Sequence, residues 1–191
     1  MATPTQLRDR VSRLAPQDPG GALALARSIP DPWFRSQALA QVVRFVAEHR
    51  VSRIAREALA AGAGCGDAYE RCAIAAWTVK ALVERGHTRA AETALQNALH
   101  AAASVDQAGA RAEALGHLAR AAGDLGPLWV EKAAHALVEL GAEDGHWRVQ
   151  RAIVRCVLLL ASEDDEAARR VLSRVSSDST RRSIRERLEG S

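Results

Sequence analysis

Asp31-Pro32-Trp33-Phe34-Arg35-Ser36-Gln37-Ala38-Leu39 decides the fold, because its opening pattern returns along the chain. It recurs as Asp67-Ala68-Tyr69-Glu70-Arg71, as Asp144-Gly145-His146-Trp147-Arg148 and as Asp178-Ser179-Thr180-Arg181-Arg182. A variant, Gln107-Ala108-Gly109-Ala110-Arg111, fills the gap. The arginines are 36, 40, 37 and 34 residues apart. Each opens a run of small and apolar residues, and the apolar positions fall at helical spacing: Cys72, Ala75, Val79, Leu82; then Ala112, Leu115, Ala119, Ala122; then Val149, Ala152, Cys156, Leu159. The Asp that starts each unit suits an N-cap, since its carboxylate accepts from the free backbone N–H groups of the first turn. Pro32 fits the first helical position.

Second amphipathic segments lie between these helices, at Gly20–Ile29, Val51–Ala61, Thr88–Ala103, Leu128–Leu140 and Asp165–Val175. Glycines and Pro127 mark the joins, and a first helix over Thr5–Leu14 precedes the array. The pattern predicts an all-α fold of ten or eleven helices. They form about five hairpins with a period of 34–40 residues, the signature of an α-α superhelix. One domain spans residues 1–191, with an N-terminal cap (1–17), repeats (18–175) and a C-terminal capping helix (176–191).

Composition agrees. Of 191 residues, 40 are Ala and 20 are Leu, while Val, Ile and Thr together give 26, too few for a large sheet. The net charge is only +3, with 26 basic and 23 acidic residues, and just two of the basic ones (Lys80, Lys132) are Lys. An Arg- and Ala-rich bias of this kind accompanies a GC-rich genome. No apolar run approaches the ~20 residues of a membrane span. The N-terminus lacks the apolar core of a signal peptide. Three cysteines make no disulfide framework, so a cytoplasmic location is the expectation.

The Asp-x-x-x-Arg-x-x-Ala-Leu units resemble those of α-solenoid helical-repeat proteins of the HEAT-like and tetratricopeptide-like kind, over roughly residues 20–185. The drifting period fits the HEAT-like pattern better than a strict 34-residue tetratricopeptide one. The resemblance implies a curved right-handed superhelix that presents a concave surface to a partner.

Searching for chemistry returns little. Glu163-Asp164-Asp165-Glu166 complements a helix N-terminus and lacks the alternating ligands of a calcium loop. Cys65 and Cys72 have no companions at zinc spacing, and Gly62-Ala63-Gly64-Cys65-Gly66 has neither a preceding strand nor a following Lys-Ser/Thr. No catalytic residue, metal or cofactor is expected. Two rows remain. Arg35, Arg71, Arg111, Arg148 and Arg182 either lock neighbouring hairpins or bind an acidic or phosphorylated partner. Trp33, Tyr69 and Trp147 at helix starts either pack against neighbouring helices or form recognition anchors. The expected function is a non-enzymatic scaffold for a protein or peptide, with Arg35, Arg71, Arg111, Arg148, Trp33, Tyr69 and Trp147 as candidate contacts. The alternative is a nucleic-acid-binding HEAT-like module with an Arg- and Trp-lined groove.

Overall fold

The computed structural model describes residues 2–190. Among them every regular element is helical: α1 Pro4–Leu14, α2 Pro19–Arg27, α3 Pro32–Val43, a 3-10 turn at Glu48–Arg50, α4 Val51–Ala63, α5 Ala68–Glu84, α6 Thr88–Ala102, α7 Ala108–Gly123, α8 Pro127–Glu143, α9 Trp147–Ala161, α10 Asp165–Ser173 and α11 Asp178–Glu189. The fold is all-α, and the alternation of two helix sets read from the periodicity is present. The chain divides into two compact units, Met1–Ala98 and Leu99–Ser191.

In the first unit α1, α3 and α5 lie side by side, while α2 packs on α1 and α3, and α4 on α3 and α5. In the second, α7, α9 and α11 are successive neighbours, and α8 and α10 pack on α9 and on each other. Odd-numbered helices therefore form one layer and even-numbered helices the other within each unit. An amphipathic hairpin leaves an apolar face that only the next hairpin can bury, which is why stacking follows from the sequence pattern.

Asp31 and Asp67 cap their helices as the sequence promised, and Asp164 caps α10. Asp31 Oδ1 accepts from the Phe34 N–H at 3.1 Å, Asp67 Oδ1 from Tyr69 at 2.8 Å, and Asp164 Oδ1 from Ala167 at 2.9 Å. Two starts differ from the sequence reading. The cap of α9 is His146, not Asp144: its Nδ1 accepts from the Arg148 N–H, and Asp144 instead accepts from the His146 N–H. The cap of α11 is Ser177, which places Asp178 at the first helical position. The reason is geometric. α8 continues to Glu143, so the chain needs Asp144 and Gly145 to turn before a new helix opens.

With the caps corrected, one packing rule recurs. Five residues before the cap of α5 stands Gly62, and five before that of α9 stands Gly141. Seven residues after the same caps stand Ile74 and Ile153. A Cβ on Gly62 would lie 2.9 Å from Ile74 Cδ1, and one on Gly141 2.6 Å from Ile153 Cδ1. Glycine here lets each isoleucine seat against the backbone of the preceding helix. At the same offsets around Asp31 and Gln107 both seats hold alanine: Ala26 with Ala38, and Ala102 with Ala114. Bulk is exchanged between the two seats, and all eight residues are buried. Glycine is required for a different reason at Gly86, where φ is +74°. There the His87 N–H reaches the Leu82 carbonyl and the Gly86 N–H that of Val83, ending α5 in a left-handed turn.

Candidate functional site: a basic groove between α7 and α9

The arginine row resolves into two kinds of residue. Arg35, Arg71 and Arg111 each sit four residues after a cap and reach back six residues to the backbone. Arg71 Nη1 donates to the Cys65 carbonyl at 2.9 Å, Arg111 Nε to that of Val105 at 2.9 Å, and Arg35 Nη1 to that of Ile29 at 3.5 Å. In the last copy the equivalent is Arg181, donating to Val175 at 2.6 Å, and not Arg182, which is exposed one position further on. The accepting residues Ile29, Cys65, Val105 and Val175 are all buried. Each guanidinium therefore satisfies a carbonyl at the apolar joint between two helices, where a charge-assisted bond is strong.

Arg148 stands apart. It lies only two residues after its cap, and Gln150 takes the capping register, accepting from Thr180 Oγ1 at 2.7 Å. Freed from the joint, Arg148 lies 3.7 Å from Glu113 and 5.4 Å from the centre of the Trp147 ring. Its stem crosses the start of α7 where Gly109 leaves room; a Cβ there would lie 3.2 Å from Arg148 Cδ.

The aromatic row divides in the same way. Trp33 is half-buried against Trp77, with ring centres 5.1 Å apart and planes inclined at 54°. Phe34 beside it lies under Arg8, 5.6 Å from ring centre to guanidinium. Tyr69 is half-buried. Trp147 is 59% exposed and stacks on His146 at 5.8 Å.

Trp147 and Arg148 open a groove of about 280 Å³ between α7 and α9. The α7 wall combines the small residues Ala112, Gly116 and Ala119, on one helix face, with Glu113, His117 and Arg120. The α9 wall carries Trp147, Arg148, Arg151 and Arg155, with Cys156 and Leu159 below. The groove exists because of side-chain size. In the seam between α3 and α5 the Trp33–Trp77 pair occupies the registers that hold Gly109 and Cys156 here.

Four arginines (Arg120, Arg148, Arg151, Arg155) and one carboxylate (Glu113) line the groove, a net of +3 from four minus one. Arg120 donates from Nη2 to His117 Nδ1 at 2.9 Å. Burial first, then the neighbouring Arg120, hold His117 below the ordinary imidazole range, with Glu113 opposing. His117 is thus a neutral acceptor that aims Arg120. Arg151 and Arg155 are exposed, and no carboxylate among the described residues lies within ion-pairing distance of either. Both also line a second groove of about 470 Å³ on the other side of α9, with Gln150, Ser179, Thr180, Ser183 and Arg187.

Sequence reasoning reached Trp147 and Arg148 and missed Arg120, His117, Arg151 and Arg155. The signal was present. Arg148, Arg151 and Arg155 fall at i, i+3 and i+7, one stripe of a helix, and no acid stands four residues from Arg151 or Arg155. A second cluster also went unread. Ser52 Oγ lies 3.0 Å from His87 Nδ1, and His87 Nε2 lies 2.6 Å from Glu48 Oε1. This relay looks catalytic, but Glu48 also holds Arg85 at 2.9 Å. Arg85 Nη1 in turn donates to the carbonyls of Val43, Arg44 and Val46, so the cluster closes the end of α3.

Among the described residues no group of three His, Cys, Asp or Glu side chains is placed to hold a metal ion. No helix among them is long and apolar enough to cross a membrane. No protein-family model, curated protein or solved structure matches the chain.

Proposed function

We propose that this protein is a non-enzymatic helical-repeat scaffold that binds an acidic segment of a protein partner in the groove between α7 and α9. The observation that carries the reading is Arg151 and Arg155, exposed cations on a groove wall beside exposed Trp147, with no carboxylate to neutralise them. Like charges one helical turn apart destabilise a helix by a few tenths of a kcal/mol per pair. A partner that supplies the missing anions relieves that repulsion while Trp147 takes an apolar side chain. Trp and Arg are the residues that dominate binding hot spots. Under this reading the binding face is the odd-numbered layer of the second unit. Arg35, Arg71 and Arg111 support the joints and leave binding to the second unit.

The test is titration calorimetry with a degenerate eleven-residue peptide library whose centre is fixed as Asp-Glu-Asp, against the wild type and the Arg151→Ala/Arg155→Ala variant. Micromolar binding by the wild type and a loss of about tenfold or more in the variant are expected, since each removed contact is a charge-assisted bond. No binding by the wild type, or equal binding by both proteins, overturns the reading. Tighter binding of a single-stranded oligonucleotide, with a steep salt dependence, transfers the groove to nucleic acid.

A further inference from the structure

We infer that the groove's preferred anion is a phosphomonoester dianion, the side chain of a phosphorylated serine or threonine in the partner segment, seated on α9 between Arg151 and Arg155. The inference rests on the peptide-binding reading above and names its ligand. The two arginines are four residues apart on one helix face and both belong to the grooves on either side of α9. One turn of helix rises about 5.4 Å, a span that two guanidiniums bridge by closing on a single tetrahedral group. A guanidinium offers a planar fork of donors, and two forks facing one carboxylate would have to share its two oxygens in one plane. A phosphomonoester brings three acceptor oxygens and a charge of about −1.5 to −2, which matches two arginines where a carboxylate's single charge matches one.

The surroundings fit the same ligand. Arg148 is engaged by Glu113 and Trp147, and Arg120 is held by neutral His117, so of the three uncompensated cations Arg151 and Arg155 are the two with no side-chain partner. On the α11 side the second groove offers the hydroxyl of Ser183 as a neutral donor to a phosphate oxygen. Thr180 is excluded from that task, because its hydroxyl already donates to Gln150. On the α7 side the groove floor is Gly116 and Ala119, which admit the chain that carries the phosphate.

Three eleven-residue libraries, degenerate except for a central phosphoserine, glutamate or serine, are titrated against the wild type, Arg155→Lys and Arg151→Ala/Arg155→Ala. All three proteins are checked for unchanged helicity by circular dichroism. The phosphoserine library binds at least tenfold tighter than the glutamate library to the wild type. Arg155→Lys, which keeps the charge and loses the fork, gives up most of that preference. The double alanine variant gives up all of it. Equal affinity for the phosphoserine and glutamate libraries overturns the phosphate assignment and leaves the acidic-segment reading standing. Binding of neither overturns both. Inorganic phosphate or adenosine monophosphate binding as tightly as the phosphoserine library shows that the peptide contributes nothing, and overturns the phosphopeptide assignment.

Discussion

Arg111 donates its Nε–H to the Val105 carbonyl, while Arg148, on the next odd-numbered helix, has no carbonyl to hold. Opposite consequences follow from substituting the same residue type. Arg111→Ala leaves a carbonyl at a buried joint without its charged donor, and about 1–2 kcal/mol of stability is lost. For a chain of this size that is a fall of roughly 2–8 °C in melting temperature, read by scanning calorimetry. Arg148→Ala changes stability by less than about 0.5 kcal/mol, as exposed ion pairs do, and acts on ligand affinity instead. If both variants melt at the wild-type temperature, the capping role is wrong. Cysteine 156 gives a second residue-scale prediction. Burial pushes its thiol from 9.0 up to about 12, and that of Cys72 up to about 11. The neutral thiol is what the fold stabilises. Stability is therefore fully present below pH 9 and declines from there as pH rises towards the folded values, because the unfolded chain loses the proton first. Denaturant titrations between pH 8 and 11 should show that decline, and Cys156→Val should flatten it.

Between helices the Gly141–Ile153 seat sets a sharper trial. Gly→Ala inside a helix ordinarily stabilises by up to about 1 kcal/mol. Here the new methyl would lie 2.6 Å from Ile153 Cδ1, so Gly141→Ala is expected to destabilise by about 1–3 kcal/mol. Adding Ile153→Val removes the offending Cδ1, and the double variant should recover much of the loss. Additive effects of the two changes in a double-mutant cycle would contradict the seat. At the end of α3, Arg85→Ala removes the donor shared by Val43, Arg44 and Val46. Faster amide exchange at Phe45 and Val46, whose N–H groups both bond to Val42, is the expected sign. The helices themselves were legible in sequence because periodicity and capping are local. α6 was read as Thr88–Ala103 and runs Thr88–Ala102. The register of α9 was not legible. Asp144 and Arg148 imitate the repeat at the right spacing, and only the length of α8 shows that Asp144 turns the chain instead of capping it.

Over the whole molecule the net charge is +3, equal to the net of the α7–α9 groove alone. The remaining charges sum to zero, so the attraction for a peptide in this groove is local. Exposed charges are screened beyond about 8–10 Å at physiological salt. Raising salt from 0.05 to 0.5 M should weaken the peptide by roughly tenfold, and the effect should disappear with Arg151 and Arg155. A salt response that survives their removal would place the binding surface elsewhere. At this scale the sequence is least informative. It shows that arginine is abundant, but not which guanidiniums are spent on carbonyls and which face open space. That division depends on a neighbour six residues back in one case and on a neighbouring helix in the other.

The reach from arginine to carbonyl also bears on where this chain tolerates added length. Each joint is pinned over seven consecutive residues, Cys65 to Arg71 or Val105 to Arg111, independently of how long the preceding helix is. The even-numbered helices that precede these pinned joints accordingly run from 9 residues in α2 and α10 to 15 in α6. A whole turn inserted early in α6 lengthens the hairpin and keeps its joint, whereas one residue inserted between Val105 and Arg111 breaks the pin and misaligns every side chain of α7. Length variation in such an array belongs on the side of each hairpin away from its arginine.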